Sequence, residues 1–147
     1  MDCKIVDALF SLLNQSISAS KITLLTTLEE SIGYGGAIHL YKNYLLRGKP
    51  QDLNKFNNKY QKILDTISNY KRVPNIKALE LENLETIKST ISKYNSAIIK
   101  ISTMIKAGKS IQEVDSLVKI DDEPAIKAFA SLAQEAVKID FGIDPVE

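Results

Sequence analysis

The chain has 147 residues, 44% hydrophobic and 25% charged, with 19 basic and 18 acidic side chains giving a formal net charge of +1. That is one domain with enough apolar content for a core; it is not a disordered chain, and it has no basic field for nucleic acid. One cysteine, Cys3, and one histidine exclude an internal disulfide and a Cys/His zinc set, and no apolar run reaches the roughly 20 residues of a membrane span.

The first helix is predicted to run from near the N-terminus to Arg47. Val6, Phe10, Leu13, Ile17, Leu24, Leu28 and Ile32 recur at three- and four-residue steps, as on the inward stripe of a bundle helix. The longest apolar stretch, Ile5 to Leu13, is broken by Asp7. It lacks a small-residue cleavage site, so it reads as a poor secretory leader.

Ile32 to Gly48, IGYGGAIHLYKNYLLRG, is the most informative stretch. It holds Gly33, Gly35 and Gly36, half of the 6 glycines, and each costs roughly 1 kcal/mol in a helix interior relative to alanine. Against a net stability of about 5–15 kcal/mol, that predicts a bend or a close approach by a neighbour. Periodicity resumes through Ile38, Tyr41, Leu45 and Leu46, and Arg47-Gly48 is an ordinary helix end. A first helix of about 46 residues would span roughly 69 Å, more than twice the second. It must therefore bend near the glycines or project, with a split last helix pairing with both parts.

A second helix is predicted over Gln51 to Tyr70, with Leu53, Phe56, Tyr60, Ile63, Leu64, Ile67 and Tyr70 inward. Beyond Pro74, Asn75 is the expected N-cap of a third helix. Its stripe of Leu84, Ile87, Ile91, Tyr94, Ile98, Ile101 and Ile105 is the most regular, and Gly108 ends it. Ser110-Ile111-Gln112-Glu113 is a capping box opening a short helix from Ile111 to about Lys119. Asp121-Asp122-Glu123-Pro124 starts the final helix, with acids at the positive end of the dipole and proline in the first turn. Ile126, Phe129, Leu132, Ala133, Ala136 and Val137 point inward, and that helix ends near Phe141-Gly142. The expected fold is all-α: an up-down-up-down four-helix bundle with a long, bent first helix and a split last helix, one domain over residues 1–147.

Gly35, His39, Asn43 and Arg47 stand four residues apart, so His39, Asn43 and Arg47 share a helix face, with Lys42 beside them. Such donors suit a small anion or carboxylate. Tyr34 offers a hydroxyl or a stacking wall, while Asp115 and Asp121 or Asp122 would offset the charge or bind an amine. Each residue alone also has an ordinary role. Gly35 and Gly36 admit a closely packed helix, a backbone carbonyl satisfies His39, and Arg47 caps a C-terminus. For the combination, the structural and ligand-site readings stand level. Tyr41, Tyr44, Tyr60, Tyr70 and Tyr94 read as bundle core with hydroxyls at the rim. A phosphate loop, a Ser/His/Asp grouping and the Glu-x-x-His motif of di-metal bundles are all missing, so no enzyme activity, metal or cofactor is expected. Haem ligation by His39 has a single histidine behind it.

Ile32-Gly33-Tyr34-Gly35-Gly36, followed by Ile38-His39, Lys42-Asn43 and Leu46-Arg47-Gly48, resembles a recurring segment in extracytoplasmic sensor regions of bacterial transmembrane receptors. These regions precede diguanylate cyclase, adenylate cyclase or methyl-accepting chemotaxis modules. Val118-Lys119-Ile120-Asp121-Asp122 with Pro124-Ala125 is similar to a later stretch of the same regions, and the likeness runs from about Thr26 to Leu132. It implies a periplasmic, helical ligand-sensing domain of an inner-membrane receptor, excised from between two transmembrane helices. The implied partners are a small-molecule ligand and a second copy in a homodimer, with no nucleic acid, and the membrane only through flanking segments. The matched Tyr34, His39, Lys42, Asn43, Arg47 and Asp121 would line a site for a small polar, anionic metabolite, whose binding is relayed as a helix shift. The alternative is a helical interaction or dimerisation module with no small ligand.

Overall fold

The computed structural model describes residues 3–33, 35–110, 112–114 and 119–138. These residues are helical with no strand among them, in α1 (Cys3–Ile32), α2 (Ala37–Arg47), α3 (Pro50–Lys71), α4 (Ala78–Lys106) and α5 (Glu123–Ala136). Residues 112–114 add a helical turn opened by the expected capping box. The Ser110 amide donates to Glu113 Oε2 and the Glu113 amide to Ser110 Oγ, both at 3.2 Å. The rest of that short helix and the expected end near Phe141-Gly142 lie outside the described residues.

The single long first helix is corrected to two helices, and the glycines supply the reason. Gly35 has a φ of 75°, a left-handed conformation that other residues adopt only at a cost. At Gly36 an added Cβ would sit 2.4 Å from the Ser31 carbonyl oxygen and 2.7 Å from that of Glu30. The chain therefore folds back onto the last turn of α1, and the Gly36 amide donates to the Gly33 carbonyl at 2.8 Å. The backbone that approaches so closely is the chain's own preceding turn, not a second helix. α2 closes at Gly48, φ 62°, whose amide donates to the Tyr44 carbonyl as the sequence predicts.

α3 lies along both α1 and α2, α4 packs against α2, α3 and α5, and α5 also rests on α1. On α3, Phe56, Ile63, Ile67 and Tyr70 are buried, and on α4 Leu84, Ile87, Ile91, Tyr94, Ile98 and Ile101 are buried, matching the predicted stripes. The start of α4 differs, because Asn75 takes a φ of 60° in the preceding turn and Lys77 is the N-cap, without a side-chain cap bond.

Two other stripes depart from expectation. On α1 the buried residues are Asn14, Lys21, Leu25, Leu28 and Ser31, whereas Val6, Phe10 and Leu13 are exposed. The start of α4 and the end of α5 lie level with the middle of α1: Lys21 Nζ meets Glu80 Oε1, and the Ser18 hydroxyl donates to the Ala136 carbonyl. Those two helices therefore leave the first turns of α1 uncovered. On α5 the buried row is Ala128, Leu132 and Ala136, while Ile126, Ala133 and Val137 are exposed. Residues four apart form a single ridge; that ridge is the most deeply buried part of α5, with Ala125 and Phe129 packed against the core beside it and the Ser131 hydroxyl accepting from Asn83 Nδ2 on α4 at 2.8 Å. Among the described residues no helix is long and apolar enough to cross a membrane.

Candidate ligand-binding site

At the break between α1 and α2 a cavity of about 380 Å³ opens, within the usual range for small-molecule sites. Its wall takes Glu29 and Ile32 from α1, Gly33 from the break and Ile38 from α2. Ile87, Thr90, Ile91 and Tyr94 come from α4, and Ala125, Ile126 and Phe129 from α5, with Asp122 just before that helix. Ile87 and Ile91, each 1% exposed, make an apolar floor. Glu29 and Ile126 are exposed and mark the rim. Gly35 and Gly36 create the site indirectly: the tight turn they permit ends α1 and re-aims α2.

The defined polar feature is the Tyr94 hydroxyl, which donates to Asp122 Oδ1 at 2.6 Å. Tyr94 is further fixed by an edge-to-face contact with Tyr41, centroids 4.9 Å apart at 86°. Burial, together with the hydrogen bond to Asp122 and its charge, pushes the Tyr94 phenol above its ordinary range, so it remains a donor at neutral pH. Tyr94 and Asp122 also line an outer groove of about 410 Å³ with Tyr41, Lys42, Leu45, Leu46 and Ile120. The pair is thus a partition between chamber and groove. The Thr90 hydroxyl donates to the Thr86 carbonyl at 3.2 Å, which leaves its oxygen as an acceptor. No ion pair among the described residues involves Glu29 or Asp122.

The residues expected to form the site are not gathered around this chamber. His39 and Asn43 are half-buried on α2, Lys42 and Arg47 are exposed, and Asp121 is exposed. Asp121 Oδ1 accepts from the Glu123 amide at 3.0 Å, capping α5 while its neighbour Asp122 meets Tyr94. Of the six residues matched in the resemblance, Lys42 alone among those described lines one of the two hollows, the outer groove, whereas Asp122, the expected alternative to Asp121, lines both; Tyr34 falls outside the described residues. Glu29, Thr90 and Tyr94 line the chamber and were not among the expected site residues. Glu29 stands one turn before Gly33, and a hydroxyl on the otherwise apolar stripe of α4 was the available signal for Tyr94. Among the described residues no group of histidine, cysteine and acidic side chains is placed to hold a metal ion. No protein-family model, no curated protein and no solved structure matches this chain.

Proposed function

We propose that this chain is the extracytoplasmic ligand-sensing domain of a bacterial transmembrane receptor, binding a small metabolite at the α1–α2 break. The observation that carries the reading is the apolar chamber of about 380 Å³ walled by α1, α2, α4 and α5. The resemblance of Ile32 to Gly48 to receptor sensor segments supports it, because that stretch builds the break. The role is binding rather than catalysis. In this reading the helices form an up-down-up-down four-helix bundle, with α1 and α2 sharing one position and α5 completing a split last helix.

A guest touching Ile32, Ile38 and Phe129 would bridge α1, α2 and α5. A packing with α5 drawn toward the break binds such a guest better, so the ligand shifts the population toward it. The resulting slide of α5 against α1 is the signal passed to an output module. The test is a thermal-shift and calorimetry panel of small metabolites on the wild type and on Ile126→Trp, which sets an indole over the chamber from an exposed position. At least one compound should raise the melting temperature of the wild type and lose that effect in the variant. Hits indifferent to Ile126→Trp would place the ligand elsewhere and end this reading.

A second reading, a helical dimerisation module, is favoured by one feature. Ile5, Val6, Leu9, Phe10, Leu12 and Leu13 on the first turns of α1 are 44% to 62% exposed. The two readings are compatible if the sensor works as a homodimer through that segment.

A further inference from the structure

We infer that the chamber at the α1–α2 break takes a primary amine carrying an apolar body, with Asp122 as the partner of the ammonium group. The inference rests on the chamber being a ligand site, as proposed above, and adds the sign of the ligand's charge.

The walls set that sign. Among the described residues, Glu29 and Asp122 are the carboxylates lining the chamber, and no lysine, arginine or histidine lines it. Helix termini work the other way but more weakly. The N-terminal ends of α2 and α5 each contribute about +0.5 of a charge and the C-terminal end of α1 about −0.5. Their sum of about +0.5 leaves two carboxylates well in excess. The cations expected to attract an anion, Lys42 and Arg47, are exposed on α2; Lys42 belongs to the outer groove, across the Tyr94–Asp122 partition.

Asp122 is prepared for this role. Tyr94 occupies Oδ1 and fixes the carboxylate's orientation, while Oδ2 has no hydrogen-bond partner among the described residues. An ammonium donor there would make a charge-assisted hydrogen bond beside a half-buried acid. Glu29 at the rim adds attraction on approach. Apart from the Tyr94 hydroxyl, already bonded to Asp122, and the Thr90 oxygen as a lone acceptor, the rest of the lining, from Ile87 and Ile91 to Phe129, is apolar in its side chains, so most of the ligand's body must be hydrocarbon or aromatic.

The experiment is calorimetric titration of the full chain with three probes of matched shape: 2-phenylethylamine, 2-phenylethanol and phenylacetate. The amine should bind at least about tenfold more tightly than the alcohol, the usual worth of a charged hydrogen bond, and phenylacetate should give no saturable heat. Asp122→Asn keeps an acceptor for Tyr94 and should weaken the amine by at least about tenfold while leaving the alcohol unchanged. Glu29→Gln, on an exposed position, should lower amine affinity less and remove part of its salt dependence. Equal or tighter binding of phenylacetate overturns the amine assignment while leaving the chamber as a ligand site. An amine affinity unchanged in Asp122→Asn does the same. If none of the three probes binds, the amine assignment fails, and the sensor reading stands or falls separately on the metabolite panel with Ile126→Trp.

Discussion

Lys21 and Glu80 form a buried ion pair that ties the middle of α1 to the start of α4, Nζ to Oε1 at 2.8 Å, with the side chains 9% and 0% exposed. Its hydrogen bonding is incomplete. Glu80 Oε2 and the Tyr70 hydroxyl have no hydrogen-bond partner among the described residues. Desolvation, with the charges of Glu80 and Glu135 adding to it, raises the Tyr70 phenol above its ordinary range.

A pair in that state is weak evidence for net stability but a severe liability when halved. Lys21→Met would strand a buried carboxylate and should cost about 3–5 kcal/mol. The double variant Lys21→Met/Glu80→Leu should recover most of that loss and could match or exceed the wild type. Urea unfolding of the four members of the cycle is the check. A double variant as unstable as the single one would show that packing, not the stranded charge, carries the cost.

The break between α1 and α2 makes an ordered pair of predictions. Gly36→Ala forces a Cβ to within 2.4 Å of a backbone oxygen, which cannot rotate away, so it should cost about 3 kcal/mol, the upper range for overpacking. Gly35→Ala meets nothing within 4 Å but keeps a φ of 75°. The left-handed penalty of about 1–2 kcal/mol, partly offset by lower unfolded-state entropy, leaves a cost of about 1 kcal/mol. Guanidinium midpoints should fall in that order. The reverse order would mean that the fold-back onto Ser31 is not the native turn.

Helix identity was legible because α3 and α4 carry uninterrupted three-four stripes and because Gly48, Gly108 and the Ser110–Glu113 box punctuate them with ordinary cap chemistry. The three glycines announced a disturbance, yet spacing alone could not say whether the helix bends or ends. That depended on the Gly36 amide reaching the Gly33 carbonyl. On α1 the expected stripe holds in the second half, where Leu28 is buried and Leu24 and Ile32 pack against the core, and fails in the first turns, where Val6, Phe10 and Leu13 are exposed. Asn14, Lys21 and Leu28 are seven apart and buried together, and only the distant Glu80 makes the lysine tolerable there. The chamber was not legible from such a stripe. His39, Asn43 and Arg47 do align on α2, but the chamber is assembled by four separate segments, and a single-helix pattern carries no information about which faces converge.

The Tyr94–Asp122 bond implies an alkaline limit to stability. An unfolded phenol titrates near pH 10, and the folded Tyr94 phenol is held above that range by burial and by Asp122. Above about pH 10 the unfolded chain has lost a proton that the folded chain keeps, so stability falls as pH rises. Below that point the contribution is fully present. Tyr94→Phe should therefore be less stable at neutral pH by about 1–2 kcal/mol for the lost charged hydrogen bond, yet show a shallower alkaline decline. Urea midpoints stepped across the alkaline range for both proteins test it. Parallel declines would mean that Tyr94 does not bond Asp122 in solution.

The first turns of α1 predict self-association. Ile5, Val6, Leu9, Phe10, Leu12 and Leu13 are all exposed among the described residues. Six half-open apolar side chains paired with their own copies across a two-fold axis would bury on the order of 1,000 Å², the lower bound for a specific interface. Such a contact is isologous and self-limiting, whereas the same patch left open would be an aggregation hazard. The wild type should sediment as a concentration-dependent dimer, and Leu9→Lys/Leu12→Lys should make it monomeric with unchanged helical content. Because those positions lie outside the core, the variant's unfolding should also lose its dependence on protein concentration. A wild type that is monomeric at every concentration, with its helix intact, would show that these side chains do not serve a second copy of the chain.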